Sequence, residues 1–254
     1  MNAISPHAVF AVVQPIAVPR RDWGHALRSL RRLLADKDDT VQVFEIMRSL
    51  NGPATRNGYY RLLGTTGGGR LAYQRRELAE VLMDRAALAK LPADSVAAHY
   101  LAFTARGQIS ADGLAEVSRE VHRDGIDLVH PVAWFGRRIR DVHDLWHILA
   151  GYDLSGLGEA ALVAFSFAQT RAFGWAAIAI GAGLTGARQP GQPYARAIYE
   201  GYRRGKAAAW LPGLDYEALL AEPLGAAQAR LGLTPPAIFD AIPIEARSRA
   251  LPKA

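Results

Sequence analysis

His143-Asp144-Leu145-Trp146-His147, with Glu159 twelve residues beyond the second histidine, brings together the residue types that bind and use a divalent metal ion. Residues four apart on an α-helix lie on the same face one turn above each other, so His143 and His147 would offer two imidazole nitrogens to one ion. Glu159 begins the next apolar helix after the break from Gly151 to Gly158, and a tight helix-loop-helix would fold its carboxylate back onto the histidine pair. Asp144, on the same helix turn, would ligate directly or orient a histidine from behind the ligands. Imidazole and carboxylate donors without thiolate suit Zn²⁺, Co²⁺, Mn²⁺ or Fe²⁺. Fewer than four tightly bound protein donors would leave a position for water or substrate, so the set reads as catalytic rather than structural.

A histidine pair at helical spacing is, alone, more often two unrelated surface or core side chains. The carboxylate inside the motif and the glutamate opening the next helix tip the balance toward a metal. A zinc protease of the His-Glu-x-x-His type needs the longer glutamate as general base. Asp144 stands in that place, which argues against peptide hydrolysis.

These residues must be positioned by a chain of 254 residues without cysteine, so no disulfide, thiolate nucleophile or zinc finger is available. Half of the residues are hydrophobic and 21 % are charged, the balance of an ordinary globular protein of one domain. The net charge of +6 comes from short arginine clusters: Arg20-Arg21, Arg31-Arg32, Arg75-Arg76, Arg137-Arg138 with Arg140, and Arg203-Arg204 with Lys206. Together they suit an anionic partner. Nucleic acid is disfavoured for want of a zinc finger, an aromatic ribonucleoprotein signature or a long basic arm; an anionic membrane surface fits the same charge. The apolar stretch Met1 to Val18 lacks a basic start and is interrupted by Pro6 and Pro15, so it reads as an N-terminal arm (1–21) rather than a secretory signal. The longest apolar stretch, Ala160 to Leu184, contains Gln169 and Arg171, costly in lipid, and reads as a core helix.

Helical periodicity dominates, and the expected fold is a single all-α bundle over residues 22–232 with a loosely held tail over 233–254. Asp22 to Leu34 and Val41 to Leu50, the second capped by Thr40, predict an α-hairpin. Gly58 to Arg70, with its run Gly64-Thr65-Thr66-Gly67-Gly68-Gly69, predicts a flexible loop and matches no phosphate-binding fingerprint. Further amphipathic stretches follow at Leu71 to Ala89, Ser95 to Ala105 and Ser110 to Val121. Val129 to Phe135 is expected to be irregular because of Pro131. Gly136 to Ala150 then carries the histidines, with Gly151 as C-cap, and a single long buried helix runs from Glu159 to about Ala182. Pro193 to Trp210 and Glu222 to Leu231 complete the bundle.

The run Arg140-Asp141-Val142-His143-Asp144-Leu145-Trp146-His147, with eleven residues between His147 and Glu159, resembles the His-Asp-x-x-His-x11-Glu signature of the Coq-four family of coenzyme Q (ubiquinone) biosynthesis proteins. Leu91-Pro92-Ala93-Asp94-Ser95 with His99-Tyr100-Leu101-Ala102-Phe103 is similar to a second segment of that family, with Ala97 in place of its glycine. The likeness extends over about residues 38 to 232, and is diffuse outside the metal motif. What it implies is an all-helical protein holding a divalent metal, zinc first among the alternatives, at His143, Asp144, His147 and Glu159. It further implies an apolar tunnel for a polyprenyl tail, peripheral attachment to the quinone-bearing membrane, dimer formation, and contact with other ubiquinone-biosynthesis proteins; with no targeting segment read in the sequence, the cytoplasmic side of a bacterial-type membrane is the expected location. The implied activity is decarboxylation at C1 of a polyprenylated hydroxybenzoate coupled to hydroxylation there, which would make the chain a metal-dependent lyase.

On that reading Arg140 would neutralise the substrate carboxylate and Asp141 would fix a histidine, while His122 and His130 are further proton carriers to consider. The helix from Leu162 to Leu184, with Phe165, Phe167, Phe173 and Trp175, would wall the tunnel. The rival is a non-catalytic lipid- or quinone-binding scaffold whose metal only braces the helices. A His-Asp phosphohydrolase is disfavoured, because its adjacent ligands lack a second histidine four residues on with glutamate at this spacing.

Overall fold

Helix ends in this chain fall where glycine, proline and polar caps interrupt the apolar periodicity. The computed structural model describes residue 18 and residues 20–36, 39–107 and 130–249. Among the described residues the fold is all-α, with an isolated bridge between Ser95 and Pro223 in place of any strand. The helices before residue 108 are α1 (Trp23–Ala35), α2 (Thr40–Leu50), α3 (Ala54–Leu63), α4 (Gly68–Gln74), α5 (Leu78–Met83), α6 (Arg85–Leu88) and α7 (Val96–Gly107). After residue 130 come α8 (Pro131–Asp141), α9 (His143–Ala150), α10 (Gly156–Thr170), α11 (Phe173–Ala187) and α12 (Tyr194–Ala207). A 3-10 turn (Leu211–Gly213) leads to α13 (Tyr216–Leu219), α14 (Leu224–Arg230), α15 (Ala237–Asp240) and α16 (Ile244–Arg249).

The α1–α2 hairpin forms as its pattern predicts. Asp22 caps α1 by accepting from the His25 amide at 2.8 Å, and Arg21 donates to the Leu50 carbonyl at 3.1 Å. Asp39 rather than Thr40 stands before α2, whose first residue is Thr40. The inner faces of the hairpin bury Ala26, Leu33, Ile46 and Leu50 against Val163 and Ile178.

Several boundaries differ from the sequence expectation, each for a local reason. The Gly58 to Arg70 segment is not a loop but parts of α3 and α4, separated by a turn in which Gly67 takes φ +84°. A side chain on Gly68 would place its Cβ 1.8 Å from the Leu62 carbonyl, so glycine here permits a close turn rather than melting the helices. The Leu71 to Ala89 stretch is divided, with a left-handed Arg75 closing α4. Pro131 starts α8 instead of disrupting it, since the first helical position needs no amide hydrogen. The histidine-bearing stretch is two helices broken at Val142, and the long helix from Glu159 is α10 and α11, parted where Arg171 turns left-handed at φ +58°. The expected helix from Ser110 to Val121 and nearly all of the N-terminal arm lie outside the described residues.

The expected loose tail is docked as far as it is described. Phe239 and Ile242 are buried in the main core, and Glu200 on α12 accepts from the Ile238 and Phe239 amides at 3.1 Å, capping α15. The tail has apolar residues to bury and a carboxylate waiting at its helix start, which a composition rich in proline concealed.

At the centre lies α10, buried on nearly every side and packed between α11 and α12. Gln169 makes this tolerable for a polar group: its amide donates to the carbonyls of Gly205 and Ala209 at 2.7 and 3.1 Å and accepts from the Leu211 amide at 2.8 Å. Buried polar groups are stable when so satisfied. No helix among the described residues is long and apolar enough to cross a membrane. Helix α9 is locked against the C-terminal half by Trp146, whose indole donates to the Tyr216 hydroxyl at 2.6 Å, and that hydroxyl donates to the Leu211 carbonyl.

Candidate metal centre

The break at Val142 makes His143 the first residue of α9, and His147 follows one turn later on the same face. Gly151, at φ +76°, reverses the chain, so that the amides of both Gly151 and Tyr152 donate to the His147 carbonyl. The Tyr152 carbonyl is thereby brought to 3.2 Å from His147 Nδ1. That contact fixes the ring and leaves Nε2 facing the cluster, the arrangement in which the outer partner of a ligating histidine sets its orientation.

Glu159 is delivered by the short loop that follows. Asp153 accepts from the Ser155 amide at 3.0 Å and from its hydroxyl, Ser155 in turn caps α10 by accepting from the Gly158 amide, and Glu159 falls in the first turn. Its two carboxylate oxygens divide between the histidines: Oε2 lies 3.3 Å from His143 Nε2 and Oε1 lies 3.2 Å from His147 Nε2. One donor atom from each residue lies within 4.8 Å of the other two. The imidazoles meet edge to face at 5.0 Å between centroids. His147 is fully buried, and among the described residues its Nε2 has no hydrogen-bond partner despite the nearby carboxylate; Glu159, 43 % exposed, is the open side of the cluster.

Burial disfavours the charge on Glu159, but the charge of His147, the hydrogen bond of His143 and the charge of His143 outweigh it and hold the carboxyl well below its ordinary range. Burial likewise opposes the imidazolium of His143, yet the hydrogen bond and charge of Glu159, with the charge of Asp144, raise its pKa above the usual value. An orphaned, buried imidazole nitrogen beside an imidazole and a carboxylate fits a divalent ion of the zinc class: two neutral nitrogen donors, one anionic oxygen and an open side.

Not every expected residue joins the cluster. Asp144 is buried on the same helix but lies outside the three-donor set, acting on it through its charge. Arg140 spends its guanidinium on its neighbour, with Nη2 2.6 Å and Nε 2.8 Å from Asp141 Oδ1. Asp141 thus meets an arginine rather than a histidine, and burial raises its pKa in spite of Arg140. His130 caps α8, its Nδ1 accepting from the Val132 amide at 3.1 Å, so its ring serves the fold. His122 lies outside the described residues.

A family model described as coenzyme Q (ubiquinone) biosynthesis protein Coq4 matches residues 35–237. The chain belongs to this family. Over 125 residues it is 31 % identical to the mitochondrial ubiquinone biosynthesis protein coq4 of Pyrenophora tritici-repentis, a match spanning 47 % of this chain and 41 % of that relative. The crystal structure of a protein from Nostoc punctiforme PCC 73102, described as a candidate for ubiquinone biosynthesis, superposes with a TM-score of 0.56 at 20 % identity, covering 84 % of this chain and 99 % of the other. That likeness is one of fold.

In this Coq4-family chain two aromatic residues support the ligands. Phe103 on α7 lies against the His147 ring at 5.2 Å, and Trp175 on α11 stacks on His143 at 6.2 Å with 14° between planes. Sequence reading placed Trp175 on a tunnel wall and missed this contact, for which helical spacing carries no signal, since α10 and α11 meet through the turn at Arg171. His143 lacks the backbone bond that holds His147, so Trp175 is its principal orienting neighbour. Trp175→Ala is expected to weaken zinc binding about tenfold, the lower end of what losing an outer partner costs. Trp175→Phe should retain most of the affinity in a chelator-competition titration; equal affinity of the alanine variant would remove Trp175 from this role.

Proposed function

We propose that this chain is a metal-dependent enzyme of ubiquinone biosynthesis, acting on a polyprenylated hydroxybenzoate at C1, where the ring carboxylate is lost and a hydroxyl installed. The observation that carries the reading is the convergence of His143, His147 and Glu159 around a buried imidazole nitrogen without a hydrogen-bond partner. Family membership gives the pathway, and the donor set supports metal-dependent chemistry.

A bound divalent ion supplies Lewis acidity toward the carboxylate and phenolic oxygen of such a ring. His147, pinned through Nδ1 by the Tyr152 carbonyl, and His143, backed by Trp175, keep their Nε2 atoms turned to one point. Glu159 supplies the anionic donor and stands at the open side, so substrate approaches past its carboxylate. Asp144 biases the site electrostatically from behind His143. No side chain of the cluster is redox-active, so the oxidative step takes its oxidant from outside the chain: with dioxygen, the ring acid and one water give the ring phenol, the carboxylate leaving as carbon dioxide and the dioxygen accepting two electrons to become hydrogen peroxide. A substrate with a polyprenyl tail resides in a membrane, which supports peripheral attachment; the cytoplasmic face of a bacterial-type inner membrane, contact with other ubiquinone-biosynthesis proteins and a dimer belong to the same proposal.

The test is quinone production in cells that depend on this chain. Glu159→Gln should abolish ubiquinone while the purified variant retains its helical circular dichroism. Undiminished ubiquinone with Glu159→Gln would assign the chain instead to the scaffold class.

A further inference from the structure

Helix α11, Phe-Gly-Trp-Ala-Ala-Ile-Ala-Ile-Gly-Ala-Gly-Leu-Thr-Gly-Ala, contains no charged residue, yet only one side of it is covered. Gly174, Ile178, Gly181 and Ala182 face the interior, whereas Ile180 and Leu184, one turn apart, are 62 and 58 % exposed. The apolar surface continues onto α1, whose Leu30 and Leu34 side chains lie beside Gly181 and whose Trp23 and Leu27 stand open to solvent. Single exposed apolar side chains are ordinary; a contiguous patch marks a surface that meets something.

Two further features identify the partner. A row of rings crosses the N-terminal end of α11, each in contact with the next: Trp23, Phe173, Phe167, Tyr202 and Tyr199. Arg21 lies over Phe173 and Lys206 over Tyr202. Amphipathic rings in a belt, with cations among them, suit the headgroup level of a bilayer, where one end of the ring is wet and the other dry. The second feature is charge. Arg171 and Arg188 bracket α11, and Arg28 and Arg31 flank the apolar stripe of α1; none of the four makes an ion pair among the described residues. From Arg171 to Pro193 there is no acidic residue.

We propose that the α1–α11 face, with its aromatic row, docks on an anionic lipid bilayer, Ile180 and Leu184 entering the acyl boundary and the arginines meeting headgroup phosphates. The inference rests on the membrane part of the reading above and specifies it. Because Trp175 projects from the opposite side of α11 onto His143, docking in this way sets one wall of the metal site directly above the lipid, on the route a prenylated ring would take. A second copy of the chain is the competing occupant, but a dimer face would bring the unpaired arginines of two copies toward one another.

Co-sedimentation of the metal-loaded full chain with phosphatidylglycerol–phosphatidylcholine vesicles tests the proposal, alongside vesicles of phosphatidylcholine alone. Binding should require the anionic lipid and weaken with added salt. The double replacement Ile180→Glu with Leu184→Glu should lower partition at least about tenfold, and Arg28→Ala or Arg31→Ala about fivefold each, with zinc content unchanged. Vesicle binding by the double variant equal to that of the parent would overturn the proposal. So would conversion of a dimer to a monomer by the same variant, in analytical ultracentrifugation, with lipid binding intact. Neither outcome touches the enzymatic reading, which fails separately if Glu159→Gln leaves ubiquinone production whole.

Discussion

His147→Ala should abolish metal binding at the candidate centre and, with it, the stabilisation expected from added zinc. The side chain supplies one of three clustered donors, and it is the one held most rigidly, by the Tyr152 carbonyl on one ring nitrogen and the Phe103 ring against its face. With only His143 and Glu159 left, zinc affinity is expected to fall by more than about a hundredfold, at or beyond the upper end of what outer-partner losses alone produce. An ion binding only the folded state stabilises it by about 4 kcal/mol at a thousand times its dissociation constant, so the zinc-dependent rise in melting temperature should vanish in the variant. The replacement also opens a cavity in a fully buried site, at a cost of about 2–4 kcal/mol. His143→Ala separates the two effects, because that side chain is 22 % exposed and leaves a smaller void. It should lose the metal response while melting, without zinc, closer to the parent. Metal analysis and thermal melts with and without zinc check both; stoichiometric zinc in His147→Ala would show that the ion sits elsewhere.

The clustering of His143, His147 and Glu159 could be read before any fold was known, because it depends on helical spacing and on one short reversal. A period of four residues puts His143 and His147 on one face, and the glycine-marked break before Glu159 was short enough to bring α10 back alongside. Gly151 behaved as its position forecast, in the left-handed region at the end of α9. What could not be read are the contacts made across the bundle. Asp144 was grouped with the ligands by adjacency, but neighbouring residues on a helix point about 100° apart, and its carboxylate stays outside the donor cluster. Arg140 and Asp141 were assigned to substrate and histidine, whereas consecutive opposite charges at the end of α8 satisfied each other first. Glycine misled most at residues 64–69, where its abundance read as flexibility. There Gly68 serves close approach to the Leu62 carbonyl and Gly67 supplies the left-handed turn. Pro131 misled in the same way, its missing amide hydrogen being harmless at the first position of a helix.

Close approach by glycine also underlies the packing that holds Glu159 in place. Gly201 and Gly205 lie one turn apart on α12 and face α10. A Cβ on Gly201 would stand 2.2 Å from the Ala161 carbonyl oxygen, and one on Gly205 would stand 2.6 Å from that of Phe165. These obstacles are backbone atoms, which cannot swing aside as a side-chain end would, so accommodating a methyl means moving one helix off the other. Ala161 is two residues from Glu159, and displacement of α10 there carries the carboxylate away from the histidines. Gly201→Ala is therefore expected to destabilise the protein by about 3 kcal/mol, the upper part of the ordinary cost of overpacking. In a chain of this size that lowers the melting temperature by about 6–12 °C, with weaker zinc binding in the same variant. Gly183→Ala provides the opposite sign: its position in α11 has nothing within 4 Å of the added carbon, so the substitution should stabilise by about 0.5–1 kcal/mol through helix propensity alone. Equal melting temperatures for the two variants would mean that α10 and α12 do not approach as closely as the glycine pair permits, and Glu159 would then owe its place to the Asp153–Ser155 loop alone.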